Sequence, residues 1–161
     1  MKNLKWMSVV ALMGICVSAN AEWYSKAEDD IFSGGKKAYL GGVITPYSSV
    51  VFDCAEDGLS MSYIQKGKIA NNAEGQGVEV LVKVDDLAII KMPGVMYERN
   101  AEYWGVKTDS DKVITVLKAL KAANSKFMLG LVGSSKFSTN VDIGGSTKAT
   151  IKFAQACKLD I

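Results

Sequence analysis

Residues 137–157, FSTNVDIGGSTKATIKFAQAC, constrain the fold more than any other stretch, because one short run holds a strand, a turn, a helix and a cysteine. Phe137, Thr139, Val141 and Ile143 fall on one side of an extended segment, and Ser138, Asn140 and Asp142 on the other, the alternation of a half-buried strand. Gly144 and Gly145 stop it. Ser146 then stands where an N-cap belongs, ahead of a helix in which Ala149, Phe153 and Ala156 or Cys157 recur at helical spacing and can face a sheet. A strand and a helix that share one apolar side need further strands to cover it, so the rest of the chain is expected to supply a sheet.

The compartment follows from the other end. Residues 1–21 carry Lys2 and Lys5, an apolar run around Val9 to Val17, and Ala19-Asn20-Ala21 at the close, the three regions of a secretory signal peptide. The run is shorter than the ~20 residues of a spanning helix, so no stable membrane span is expected after cleavage. Cys16 follows Ile15 where lipid attachment would want a small residue, and is read as part of the discarded run. Removing the first 21 of 161 residues leaves residues 22–161, 140 in all, the size of a single compact domain. It also removes two lysines and no acids, so 19 basic against 17 acidic side chains become 17 against 17. With Arg99 the sole arginine and the lysines dispersed, the electrostatic footprint of a nucleic-acid binder is missing. Cys54 and Cys157 are the cysteines left in an exported, periplasmic chain and are expected to pair; two buried free thiols are the competing arrangement.

Along the mature chain, Trp23 and Tyr24 mark a short first strand over 22–26, an acidic loop follows over 28–35, and extended structure resumes over 36–45. Pro46, Ser48 and Ser49 break it. Residues 50–54 and 59–64 form two runs around Asp57-Gly58, a hairpin signal, with Leu59, Met61 and Tyr63 opposite Ser60 and Ser62. Residues 65–77 read as a mobile polar loop. Val78, Val80, Val82 and Val84 alternate with Glu79, Leu81 and Lys83. Asp85-Asp86 turns the chain into 87–92, Pro93-Gly94 turns it again into 95–99, and 103–107 follows. Thr108 and Asp111 stand at capping-box spacing before Val113, Val116, Leu117 and Leu120, which predicts a helix to about Asn124. A strand over 127–132 and a hairpin through 133–136 return to the final segment. The expected fold is α+β: mainly an antiparallel β-sheet or sandwich with two short helices.

Chemistry is harder to find. The chain has no histidine, which removes the commonest general base and the usual triads. No catalytic residue, cofactor site or metal site is assigned. The acids Asp29-Asp30, Glu56-Asp57 and Asp85-Asp86 sit in expected turns and Asp109 and Asp111 at a helix start, so solvated turn and cap roles are preferred to a carboxylate pair. Asp109-Ser110-Asp111 does not continue into a calcium loop. Tyr97, Arg99, Tyr103 and Trp104 are the candidate partner-binding residues, since aromatics and arginine are the usual anchors of an interface. Packing within the domain is the alternative for Tyr97 and Trp104, and a bidentate internal partner the alternative for Arg99.

Trp23 with its acidic loop, Cys54 before a turn and 59–64, Tyr97 and Arg99 then Trp104, the helix bearing Leu117 and Leu120, and the closing 137–157 run together resemble the VasI-like proteins associated with type VI secretion and related small exported proteins. The resemblance spans nearly the whole mature chain, with the two-cysteine frame its most distinctive part. It implies a non-catalytic periplasmic accessory protein that binds another envelope or secretion-system protein. A periplasmic inhibitor or immunity protein that plugs a cell-wall or toxin enzyme would share the same size, crosslink and lack of catalytic groups.

Overall fold

The computed structural model describes residues 23–31, 35–55 and 58–161. The expected signal peptide over 1–21 lies outside the described residues, as do Glu56 and Asp57 of the expected hairpin turn.

Among the described residues nine strands form a single antiparallel sheet: β1 (Tyr24–Asp29), β2 (Lys36–Thr45), β3 (Ser48–Ala55), β4 (Gly58–Lys66), β5 (Gly77–Val84), β6 (Ile90–Asn100), β7 (Tyr103–Thr108), β8 (Phe127–Val132) and β9 (Lys136–Val141). Their order is β1-β2-β3-β4-β7-β6-β5-β8-β9, with every neighbouring pair antiparallel. Helix α1 (Val113–Lys121) connects β7 to β8, and α2 (Ser146–Cys157) closes the chain. The α+β expectation holds, as one curled sheet. Trp23 ties its ends together: its backbone N–H donates to the Gly144 carbonyl (2.8 Å) and its indole N–H to the Asp142 carbonyl (2.6 Å). The segment before β1 thus meets the segment after β9, and the sheet bends into a half-barrel.

The alternation in the sequence decides which side chains go inside. Leu40, Val50, Phe52, Met61, Val80, Val82, Met92 and Phe127 are buried on the concave face, where Val116, Leu117 and Leu120 of α1 and Phe153 of α2 meet them. Both helices sit at one end of this face, α2 against β1 and β2, α1 against β4 and β5. Cys54 at the end of β3 and Cys157 at the end of α2 form the expected disulfide, with Cα atoms 6.2 Å apart. A link of separation 103 thereby anchors the last helix to the third strand. In the chain-entropy account, closing a loop of ~100 residues removes about 4.7 kcal/mol of unfolded-state freedom, an upper figure.

Several local expectations need correction. Pro93-Gly94 is no turn: β6 runs through both, with Pro93 opposite Glu79 and Gly94 opposite Val78. Pairing with β7 begins only at Val95, so Pro93 lies beyond that ladder. Gly94 serves close packing, since a Cβ there would come within 2.8 Å of the Val80 Cγ2. Ser48 and Ser49 do not break the chain but open β3, and the Ser48 and Thr45 hydroxyls bond each other at 2.7 Å across the 46–47 turn. The capping box is absent. Thr108 is buried at the end of β7, α1 begins after Lys112 without a side-chain cap, and it ends at Lys121, short of Asn124. Ser146 likewise does not cap α2; it is buried as the first helical residue, and Gly145 holds the cap position at φ 76°, a left-handed backbone that glycine adopts without strain.

Candidate functional site

The helices fill only one end of the concave face. At the other end the inward-facing positions continue past them: Tyr63 at the far end of β4, Val78 at the start of β5, Met96 on β6, Trp104 and Val106 on β7, Leu131 on β8 and Phe137 on β9. With no helix above them these side chains wall an open cleft of about 420 Å³. Its rim carries Gln65, Gln76, Ser134 and Ser135, and among the described residues no lysine, arginine or carboxylate lines it. Three of the walls are aromatic rings in mutual contact through Tyr63. Tyr63 lies 5.3 Å from Phe137 and 6.5 Å from Trp104, centroid to centroid, the latter edge to face at 75°. The Tyr63 hydroxyl donates to Gln65 Oε1 at 2.8 Å, and burial pushes its phenol above the ordinary tyrosine range. Phe137 remains 43% exposed, a large ring at the mouth of an apolar hollow. The hollow can hold an uncharged group and offer it neutral amides and hydroxyls; it has no acid and base to move a proton.

The convex face has its own small layer. Tyr97 donates from its hydroxyl to Ser62 Oγ at 3.0 Å, and Arg99 reaches across β7 and β4 to Asp53 on β3 in a fork, Nη1 to Oδ2 at 2.9 Å and Nη2 to Oδ1 at 2.8 Å. The same Nη1 also donates to the Tyr97 hydroxyl at 3.1 Å. The ladder shifts register between Glu98 and Asn100, so Arg99 is the extra residue of a bulge, a feature that re-aims a side chain. Its hydrogen bonds to Asp53 first, opposed by burial and aided by the same charge, raise the guanidinium pKa further. Under this layer Val51, Ser60 and Ser62 are buried although they point away from the core. Tyr24 and Tyr39 extend it, their rings 6.0 Å apart and edge to face.

The four residues singled out in the sequence therefore divide. Trp104 lines the cleft, whereas Tyr97 and Arg99 belong to the convex layer, where Arg99 is engaged by Asp53; Tyr103, half-buried, pairs with Asn100 and Lys66 at the β6–β7 hairpin. The other cleft residues were not among the sequence candidates. The signal for them was slight: apolar residues continuing the inward parity to the very ends of strands.

The turn acids also divide. Asp85, in a left-handed conformation at φ 48°, accepts from the backbone N–H groups of Asn124, Ser125 and Lys126 and from the Ser125 hydroxyl, at 2.7–2.9 Å. These bonds, that of Lys126 foremost, hold its carboxyl well below the usual carboxylate range. Asp85 staples the exit of α1 to the end of β5. Asp109 and Asp111 are exposed. Among the described residues no group of three or more metal-ligating side chains gathers, and no helix is long and apolar enough to cross a membrane.

A disulfide-linked half-barrel whose two helices plug one end and leave the other open is the class of fold defined here. No family model matches the sequence, and no curated protein matches it either. Among solved structures, the crystal structure of invasion associated protein B from Bartonella henselae is similar, with a TM-score of 0.50 at 14% identity over 88% of this chain and 97% of that one. At that identity the likeness is one of fold. The resemblance to VasI-like proteins is not confirmed by any of these matches.

Proposed function

We propose that this chain is a non-catalytic, exported accessory protein that binds another protein of the cell envelope. The observation that carries the reading is the open cleft: seven apolar or aromatic side chains from six strands converge on a hollow with a neutral polar rim and no acid–base pair. Apolar hollows with a few polar groups are the usual form of a binding site. The disulfide fits an oxidising compartment such as the periplasm. A fold shared with an invasion-associated protein agrees with an accessory role. Within this reading, a type VI secretion component is the first partner to examine, and an inhibitor or immunity role the second.

The test is to isolate the tagged protein from envelopes of its own host in mild detergent, together with two groups of variants. Trp104→Ala and Phe137→Ser, each checked for an intact disulfide and cooperative melting, are expected to lose a discrete envelope-protein partner. Asp29→Asn, Asp86→Asn and Asp109→Asn are expected to keep it. A secretion component as that partner supports the accessory role; a cell-wall enzyme whose turnover falls on binding supports the inhibitor. Turnover of an envelope polymer by the purified protein, abolished by one folded aspartate variant, would contradict the proposal.

A further inference from the structure

We infer that the convex face carries a second binding site, a shallow tyrosine platform around the Arg99–Asp53 fork, whose ligand is the cell-wall polymer: its sugar rings lie on Tyr24 and Tyr97, and its carboxylates face Lys66 and Lys107. The site goes beyond the cleft and is independent of it. Tyr24 stands opposite Gly41, and Tyr97 opposite Gly105. A Cβ on Gly41 would come within 2.6 Å of the Tyr24 Cζ, and one on Gly105 within 3.2 Å of the Tyr97 Cε1, so each ring leans over the neighbouring strand and covers a glycine. The two glycines belong to β2 and β7, three strand spacings or about 14 Å apart along the sheet. Between them the Arg99–Asp53 fork lies over buried Ser62, and its Nη1 holds the Tyr97 hydroxyl in place.

The free polar groups and the charges select the ligand. Tyr24 is 45% exposed, and among the described residues the hydroxyls of Tyr24, Tyr39 and Tyr103 have no hydrogen-bond partner. Burial first, then Tyr39, pushes the Tyr24 phenol above its ordinary range; Arg99 is near enough to pull it back in part and Tyr103 to raise it again, so these groups share one neighbourhood. The phenols stay protonated at neutral pH and can both donate and accept. A ring face is negative, so it takes the C–H-lined face of a sugar while the sugar's hydroxyls meet the phenols at the edge. A cationic ligand is refused, because Arg99 already fills the middle. Lys26 with Glu28 and Arg99 with Asp53 cancel in charge. Lys66, opposite Tyr103, and Lys107, opposite Ser62, have no acidic partner among the described residues. Two such lysines suit scattered carboxylates and are too few for a nucleic acid, whose binding rests on clustered cations. In the periplasm, the compartment the disulfide fits, the polymer that combines sugar rings with free carboxylates is the cell wall.

The experiment sediments the exported, disulfide-bonded protein with purified cell-wall sacculi over a range of protein concentrations, and competes the binding with soluble fragments of the same wall. Saturable binding is expected, weakened at least tenfold by Tyr24→Ala or Tyr39→Ala and at least threefold by Lys66→Gln with Lys107→Gln, which should also lose the salt dependence. Each variant is checked for an intact disulfide and cooperative melting; should Tyr24→Ala fail that check, Tyr39→Ala and the lysine pair carry the test. Phe137→Ser should bind sacculi as the unaltered protein does, so a failed cleft and a failed platform give different results. No saturable binding, or folded tyrosine variants that bind as tightly as the unaltered protein, would overturn the inference. Equal competition by polyglutamate, which has carboxylates and no sugar rings, or by cellohexaose, which has sugar rings and no carboxylates, would overturn it too.

Discussion

Truncating Arg99 separates a scaffold arginine from a recognition arginine, and the structure sets the size of the effect. Arg99 and Asp53 are 26% and 34% exposed, between surface pairs and fully buried ones. Surface pairs contribute about 0.2–1 kcal/mol, and removing one partner of a buried pair costs about 3–5 kcal/mol. Arg99→Ala also frees the Tyr97 hydroxyl of its bond to the guanidinium. We expect a loss of about 2 kcal/mol, which for a domain of this size lowers the melting temperature by roughly 6 °C. Asp53→Ala should cost about as much, and the double variant less than the sum by about 1–2 kcal/mol, because either single change already breaks the fork. Arg99→Lys, which keeps the charge but not the planar fork, should fall between. Urea unfolding of the four proteins, with equal slopes confirming comparable unfolded states, measures the cycle. Single variants within about 0.5 kcal/mol of the unaltered protein and simple additivity would refute the structural role. Stable Arg99→Ala protein that binds its partner at least tenfold more weakly would return Arg99 to the interface.

Three further changes test other parts of the fold. Replacing Cys54 or Cys157 with Ser should cost about 2–5 kcal/mol, measured by denaturant unfolding, and reduction of the unaltered protein should reproduce the loss. Thr150 is fully buried on α2 with no hydrogen-bond partner for its hydroxyl among the described residues, so Thr150→Val should raise stability by about 1 kcal/mol; a loss of that size would mean the hydroxyl is satisfied. The Asp85 carboxyl is ionised more readily in the folded protein than in the unfolded chain, so its contribution is present above the unfolded pKa of about 4 and is lost as pH falls through the lower folded value. Asp85→Asn, which tolerates the same left-handed backbone, should therefore flatten the acid limb of a stability–pH curve, and an unchanged limb would exclude the staple.

Strands were legible wherever alternation was clean. The four valines of β5 and the 127–132 run appear as the sequence predicts, because one face of each is buried and the other is not. Local breaker signals misled at Pro93-Gly94, where the deciding fact is the crowding of Gly94 by Val80 from the next strand. The missed caps have a positional cause: Thr108 is still the buried last residue of β7, with its hydroxyl accepting from the Ser110 N–H at 3.4 Å, and Ser146 is already the first residue of α2. At the candidate site, the 97–104 segment contained one cleft residue, Trp104, but parity along two paired strands sent Tyr97 and Trp104 to opposite faces. The remaining walls, Val106 of β7 and the residues of β4, β5, β6, β8 and β9, are spread from Tyr63 to Phe137 along the chain and are brought together only by the strand order. No local pattern encodes a hollow left by helices that stop halfway along a sheet.

The central claim, that this protein binds an envelope partner through the open end of its half-barrel, is met most directly by photo-crosslinking in living cells. A photoreactive phenylalanine analogue would replace Phe137 at the cleft mouth, Tyr24 on the convex face, and Leu87 in the 85–89 turn, all three positions being 43–56% exposed. The account predicts one discrete envelope-protein adduct from position 137, and none from positions 24 and 87. An adduct from position 24 or 87 with none from position 137 would contradict it.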